Sequence, residues 1–176
     1  MSELRTNRIV PRDGLPSGSA GGIIQVRSTT FTENFSASVS GMSWTEVPGL
    51  TTTITPRRTD SKILISVTIG GIESSGLNQR MGMALRKNST NIAVNTTSGN
   101  QTVATWAGSG TNSNDIRNQA FFTHLDSPAT TSTVTYRVMI TTEGSYTMFI
   151  NRSNSNANSS SVFKTASSMT LYEVSA

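Results

Sequence analysis

Cysteine is absent from the 176 residues, which excludes disulfide scaffolds, thiolate metal sites and cysteine nucleophiles together. Histidine occurs once, at His124, so a Ser-His-Asp arrangement has a single imidazole to draw on. A multi-histidine metal site cannot be built within one chain. Charge is scarce as well: Asp, Glu, Lys and Arg together make 14% of the chain, and the ten acids stand singly. A glycosidase-type carboxylate pair would have to be assembled entirely by tertiary folding, so no enzyme activity, catalytic residue, cofactor or metal is expected. No apolar run approaches the roughly 18 residues of a membrane span. The opening MSELRTNRIV carries charge where a signal peptide has its apolar core, so neither membrane insertion nor export by that route is expected. The net charge of +4 comes from 11 Arg and 3 Lys scattered along the chain, apart from the pair Arg57-Arg58, which reads as a solvated turn. Nucleic-acid footprints are clustered, so no nucleic-acid partner is expected.

Small polar residues fill the space that apolar and charged groups leave. There are 27 Ser, 27 Thr and 14 Asn, types that favour strands or turns over helix interiors. From Ile23 onward the chain breaks into short alternating runs. These are Ile23 to Phe31, Phe35 to Val39, Trp44 to Val47, Leu50 to Ile54 and Lys62 to Ile72, the second pair split by a Pro48-Gly49 turn. In Lys62 to Ile72 the residues Ile63, Ile65, Val67 and Ile69 share one face, the mark of a central strand. Further runs follow at Gln79 to Lys87, Asn91 to Val94, Gln101 to Ala107, Arg117 to Leu125, Ser132 to Ile140, Tyr146 to Ile150 and Ser167 to Val174. A hairpin through Glu143-Gly144 is expected before the Tyr146 run. Nine to eleven short strands without helical periodicity predict an all-β protein, an antiparallel β-sandwich or barrel.

The first 22 residues are different. Pro11 and Pro16 lack donors, and Gly14, Gly18, Gly21 and Gly22 make a joint, so residues 1 to 22 read as an extended arm with a Gly-rich hinge ahead of a domain at 23 to 176. Leu4, Arg5, Arg8, Ile9, Val10 and Pro11 are the candidate attachment residues, since apolar groups on an arm are buried only against another surface. An unstructured tail is the alternative.

The arm SELRTNRIVPRDG with its glycine joint and GGIIQV resembles the N-terminal pattern of tail-fibre and other virion structural proteins of tailed bacteriophages, notably those of marine bacteria and cyanobacteria. The blocks WTEVPGLTTTITP, SKILISVTI, LDSPATTSTVTYRVMI, FINRS and SSMTLYEV are similar to those of the trimeric jelly-roll head of such fibres. The resemblance implies a jelly roll of the C1q/TNF kind and a homotrimer. The arm would be held by other virion proteins of tail or capsid, and the distal loops would face a host-surface glycan or protein. It places the chain on a virion assembled in the host cytoplasm, as a short tail fibre or spike for host adhesion. No coiled-coil shaft or repeat intervenes between hinge and head, which favours a short spike over a long fibre. A capsid decoration or cement protein is the alternative, and a bacterial lectin-like module a third.

Two polar loops are the candidate receptor contacts: Gly108 to Asn114, with Trp106, Ser109, Thr111, Asn112 and Asn114, and Asn151 to Ser161, with Asn151, Asn154 and Asn156. Their amides and hydroxyls suit sugar hydroxyls, and Trp106, Tyr146 or Phe149 would offer a stacking face. The alternative is ordinary solvent-exposed turns. His124 alternates with Phe121, Thr123 and Leu125 and reads as a core or interface histidine, with a pH-sensitive interface as the sharper idea. Sequons such as Asn88-Ser89-Thr90 follow from Asn and Thr abundance.

Overall fold

The structure is a computed structural model that describes residues 22–97, 99–111, 116 and 118–175. The arm residues Leu4, Arg5, Arg8, Ile9, Val10 and Pro11 lie outside the described residues, as do Asn112 and Asn114.

Eleven strands form among the described residues, with no helix. They are β1 (Ile23–Phe31), β2 (Phe35–Val39), β3 (Thr45–Ile54), β4 (Lys62–Ser74), β5 (Arg80–Lys87), β6 (Thr90–Ile92), β7 (Trp106–Ser109), β8 (Asn118–Asp126), β9 (Val134–Thr142), β10 (Tyr146–Ile150) and β11 (Ser167–Val174). All pairings are antiparallel. In the first sheet β1, β11, β4 and β8 lie side by side. Ile72 of β4 pairs with Asn118 of β8 on one side and Ile150 of β10 on the other, so β10 continues along the edge that β11 uses. The short strand β2 extends the line of β1 by pairing with β10. The second sheet runs β3, β9, β5, with β6 and β7 sharing the outer edge of β5. If β6 and β7 are counted as one interrupted strand and the short β2 and β10 are set aside, the first sheet takes the first, eighth, third and sixth strands and the second sheet the second, seventh, fourth and fifth. This is jelly-roll order.

Period-two patterning builds the core between the sheets. Ile63, Ile65, Val67 and Ile69 of β4 with Met169 and Leu171 of β11 meet Met81, Met83 and Leu85 of β5, Val138 and Ile140 of β9, and Leu50 and Ile54 of β3. Each such side chain contributes about 1.5–3 kcal/mol on full burial.

Pro48-Gly49 is not a turn between two strands but lies inside β3. Residues 47 to 50 stand opposite Val138 alone, between the pairs Glu46↔Met139 and Thr51↔Arg137, so this is a special bulge, four residues against one. On an edge strand Pro48 forfeits no ladder bond. Gly49 admits the ring of Phe31, since a Cβ there would stand 2.1 Å from Phe31 Cδ2.

Glu143-Gly144 does not close a hairpin either. β9 belongs to the second sheet, whereas β10 pairs with β2 and β4 in the first, so the chain crosses between layers there. Residues 101 to 105 form no strand. Instead Thr105 sits between β6 and β7 on the edge of β5, its N–H donating to Met83 O at 2.8 Å and its Oγ1 accepting Leu85 N–H at 3.0 Å. β6 stops at Ile92, where Ala93 turns to a φ of 54°.

Candidate functional site

Register places three rows of four residues on the outer face of the first sheet. Phe121, Thr68, Ser168 and Thr30 form one; Thr123, Ser66, Thr170 and Ser28 the next; Leu125, Leu64, Tyr172 and Val26 the third. None of the twelve is charged. Phe121 is 68% exposed, and Leu125 and Val26 are each 50% exposed. The middle row is hydroxyl throughout, with Ser28 Oγ and Thr170 Oγ1 2.9 Å apart. A solvated face ordinarily carries interspersed charge, and interface centres are depleted of it. Apolar groups at both ends of a neutral hydroxyl band therefore form a surface suited to burial against another protein. His124 is not on this face. It pairs with Ile65 and points to the core side of β8 beside Phe122, half-buried.

The two predicted receptor loops divide differently from their polarity. Trp106 opens β7 half-buried and packs against the core, with its ring over Gly108. Ser109 is exposed, and its carbonyl accepts Asn118 Nδ2 at 3.0 Å. Thr111 is pinned: its N–H and Oγ1 both donate to the buried Glu73 carboxylate at 2.7 Å, which also accepts Ser74 N–H at 2.8 Å. Asn151 is a correction to the exposed-loop expectation. It is fully buried, and its Nδ2 donates to Phe31 O at 2.9 Å and Glu33 O at 3.0 Å. Ser153 is buried too. Asn154 is half-buried, with its carbonyl accepting Arg152 Nη2 at 2.8 Å, and Asn156 is exposed. Of the described candidates, then, Ser109 and Asn156 are exposed, Trp106, Thr111 and Asn154 are half-buried, and Asn151 is buried.

Phe149 does not offer a stacking face, because it is buried and the Arg152 guanidinium lies 4.7 Å from its centroid. Burial lowers the pKa of that guanidinium. The far end of the second loop, at residues 161 and 163–165, returns beside Ile116 and Gln119, which follow the first. They line a cavity of about 480 Å³ below the Phe121 row. Phe163 there is 77% exposed and adds to the apolar character of this end.

At the opposite end, one ionic cluster ties the two sheets together. Lys87 Nζ donates to Asp126 Oδ1 at 2.9 Å, and the buried Tyr136 hydroxyl donates to Asp126 Oδ2 at 2.7 Å. Burial, reinforced by that bond to a carboxylate, pushes the Tyr136 phenol well above its ordinary range. Asp126 belongs to β8, whereas Lys87 and Tyr136 belong to β5 and β9, so the cluster is a clamp across layers. Among the described residues no group of three or more His, Asp or Glu is placed to hold a metal ion.

The outer-face rows escape a reading of the sequence because they need cross-strand register. Alternation puts Leu64, Ser66 and Thr68 on one side of β4, but nothing in the chain order sets Tyr172 and Val26 beside Leu64. No family model matches the chain, and no curated protein matches it.

Proposed function

We propose that the chain is a structural protein of a tailed-bacteriophage virion, a short tail fibre or spike. Residues 1 to 22 attach it to the particle, and its jelly-roll head assembles as a homotrimer that contributes to host adhesion. The observation that carries this reading is the three charge-free rows on the outer face of the first sheet, bordered by Lys62, with Phe121, Leu125 and Val26 exposed at their two ends. A face of that kind suits burial against like faces in a closed assembly. The similarity of the strand blocks to phage fibre heads supplies the virion context. Three heads per spike and several spikes per particle would turn weak single contacts into firm adhesion, because each later contact is made at high effective concentration.

The test has two arms. Purified full-length protein, added to host cells ahead of infection, is expected to compete with phage adsorption. Substituting Arg5, Arg8 and Ile9 with Glu is expected to abolish its capture on fibre-less particles while leaving competition intact. Protein that binds capsids and raises their resistance to heat, yet never blocks adsorption, would replace the fibre reading with that of a decoration protein.

A further inference from the structure

The outer face of the first sheet finishes differently at its two ends. Toward the arm it runs out at Lys62, Val174 and Ile23, which pair side by side where the chain enters the head. At the far end it stops against a ridge. Gly70 and Gly71 of β4 stand opposite Gln119 alone, a β-bulge between the pairs Ile69↔Ala120 and Ile72↔Asn118. The chain returning to β11 crosses the sheet at this bulge. A Cβ on Gly70 would stand 2.3 Å from Ala166 O and 2.9 Å from Thr165 Cβ, so glycine is what lets the crossing lie this close.

Between the ridge and β8 lies the cavity of about 480 Å³, with Gly70 and Gln119 on the sheet side and Ile116, Phe163 and Thr165 among its walls. Gln119 is two residues from Phe121 on β8, so groove and Phe121 row open on the same face. Lys164 is the charged residue in the lining among the described residues. With the Asn34 amide nitrogen donating to Asn151 O at 3.2 Å, the Asn34 oxygen accepts Lys164 Nζ at 3.1 Å. The ammonium is thus engaged by a residue outside the lining, and its apolar stem is left to the groove. Phe163, 77% exposed, and Phe121, 68% exposed, are the most exposed large apolar side chains among the described residues, and both flank this groove.

The arm decides which part of a neighbouring copy arrives there. Three arms that reach one particle leave their heads on the same side, so a threefold axis runs broadly along the strands, from the Lys62 end toward the ridge. Rotation about that axis preserves height. The groove lies about 26 Å from Lys62 along β4, at roughly 3.3 Å per residue, and Phe163 of every copy stands at that level.

We infer that the groove beside Gly70 seats Phe163 of the neighbouring copy, so that three rings and three grooves interlock around the axis at the end of the head remote from the particle. The inference deepens the trimeric-spike reading and rests on it. A knob on one copy and a hole on the next make a heterologous contact, which closes into a ring of three. An aromatic ring entering an apolar groove is also the chemistry of an interface centre.

The test uses the full-length protein. Native mass spectrometry and light scattering over a dilution series give the concentration at which the trimer comes apart in the parent, Phe163→Lys and Phe163→Leu. Phe163→Lys is expected to raise that concentration roughly tenfold or more, and Phe163→Leu, which keeps an apolar group for the groove, distinctly less. Phe163 is exposed within one copy, so circular dichroism should not change in either variant. The absence of cysteine provides a second readout. A Gln119→Cys chain and a Phe163→Cys chain, expressed together and oxidised, are expected to give a disulfide-linked dimer whose mass contains one of each. A Phe163→Lys trimer as resistant to dilution as the parent, or no mixed dimer, would overturn the inference. If the trimer still came apart with Phe121→Lys/Leu125→Lys, the spike reading would stand, with its interface confined to the three rows. A parent that is a single copy would remove both.

Discussion

Ser167 Oγ donates to Asn151 Oδ1 at 2.5 Å, closing the base of the excursion that separates β10 from β11. The same Asn151 holds Phe31 O and Glu33 O through its amide, its N–H donates to Gly71 O at 2.9 Å, and its carbonyl accepts Thr165 N–H at 3.2 Å. One buried amide thus joins four segments where both outer lines of the first sheet are interrupted. Its φ of 63° is a conformation that asparagine tolerates better than most residues.

Asn151→Ala is therefore expected to destabilise the head by about 2–4 kcal/mol, combining buried groups left without partners and a left-handed backbone that alanine disfavours. Chemical denaturation of the parent, Asn151→Ala and Asn151→Gly measures it. Glycine should recover only the backbone share.

Tyr136 makes stability depend on alkaline pH. Its phenol stays protonated in the folded protein above the ordinary tyrosine value near 10, whereas the unfolded chain releases that proton. The contribution is complete below pH 10 and declines as pH rises beyond it, by about 1.4 kcal/mol per unit. Denaturation between pH 8 and 11.5 should show this slope in the parent and lose it in Tyr136→Phe. That variant is also expected to be less stable at pH 8 by about 1.5–3 kcal/mol, the usual worth of a hydrogen bond to a charged group.

Gly49 and Phe31 should be coupled. Gly49→Ala displaces the Phe31 ring and is expected to cost about 1–3 kcal/mol, as overpacking does. In Phe31→Ala the same substitution should cost much less. A double-mutant cycle gives the coupling, and additive effects would contradict the contact.

The strand content of this head is legible wherever period two is strong. Lys62 to Ile72 reads as a central strand because four β-branched residues share a face, and it is the strand onto which β8, β10 and β11 all pair. What fails to read is long-range. Pro48-Gly49 has turn chemistry, yet a ring 18 residues earlier in the chain and a free edge make it a bulge. Glu143-Gly144 lies between two alternating runs, yet the edges of β10 are taken by β2 and β4. Asn151 is one asparagine in a polar tract, and only the carbonyls of Phe31 and Glu33 distinguish it. Ala104 lies over Gly82 of β5, a contact that no local pattern announces.

The most direct measurement for the account as a whole is the mass of the full-length protein in solution, by light scattering and native mass spectrometry, beside that of Phe121→Lys/Leu125→Lys. Both positions are exposed on the outer face of β8, where substitution ordinarily changes stability by only about 0.5 kcal/mol. The account predicts three copies for the parent and a folded single copy for the variant, with unchanged circular dichroism. A parent that remains a single copy at tens of micromolar, or a trimer indifferent to two lysines on that face, would contradict it.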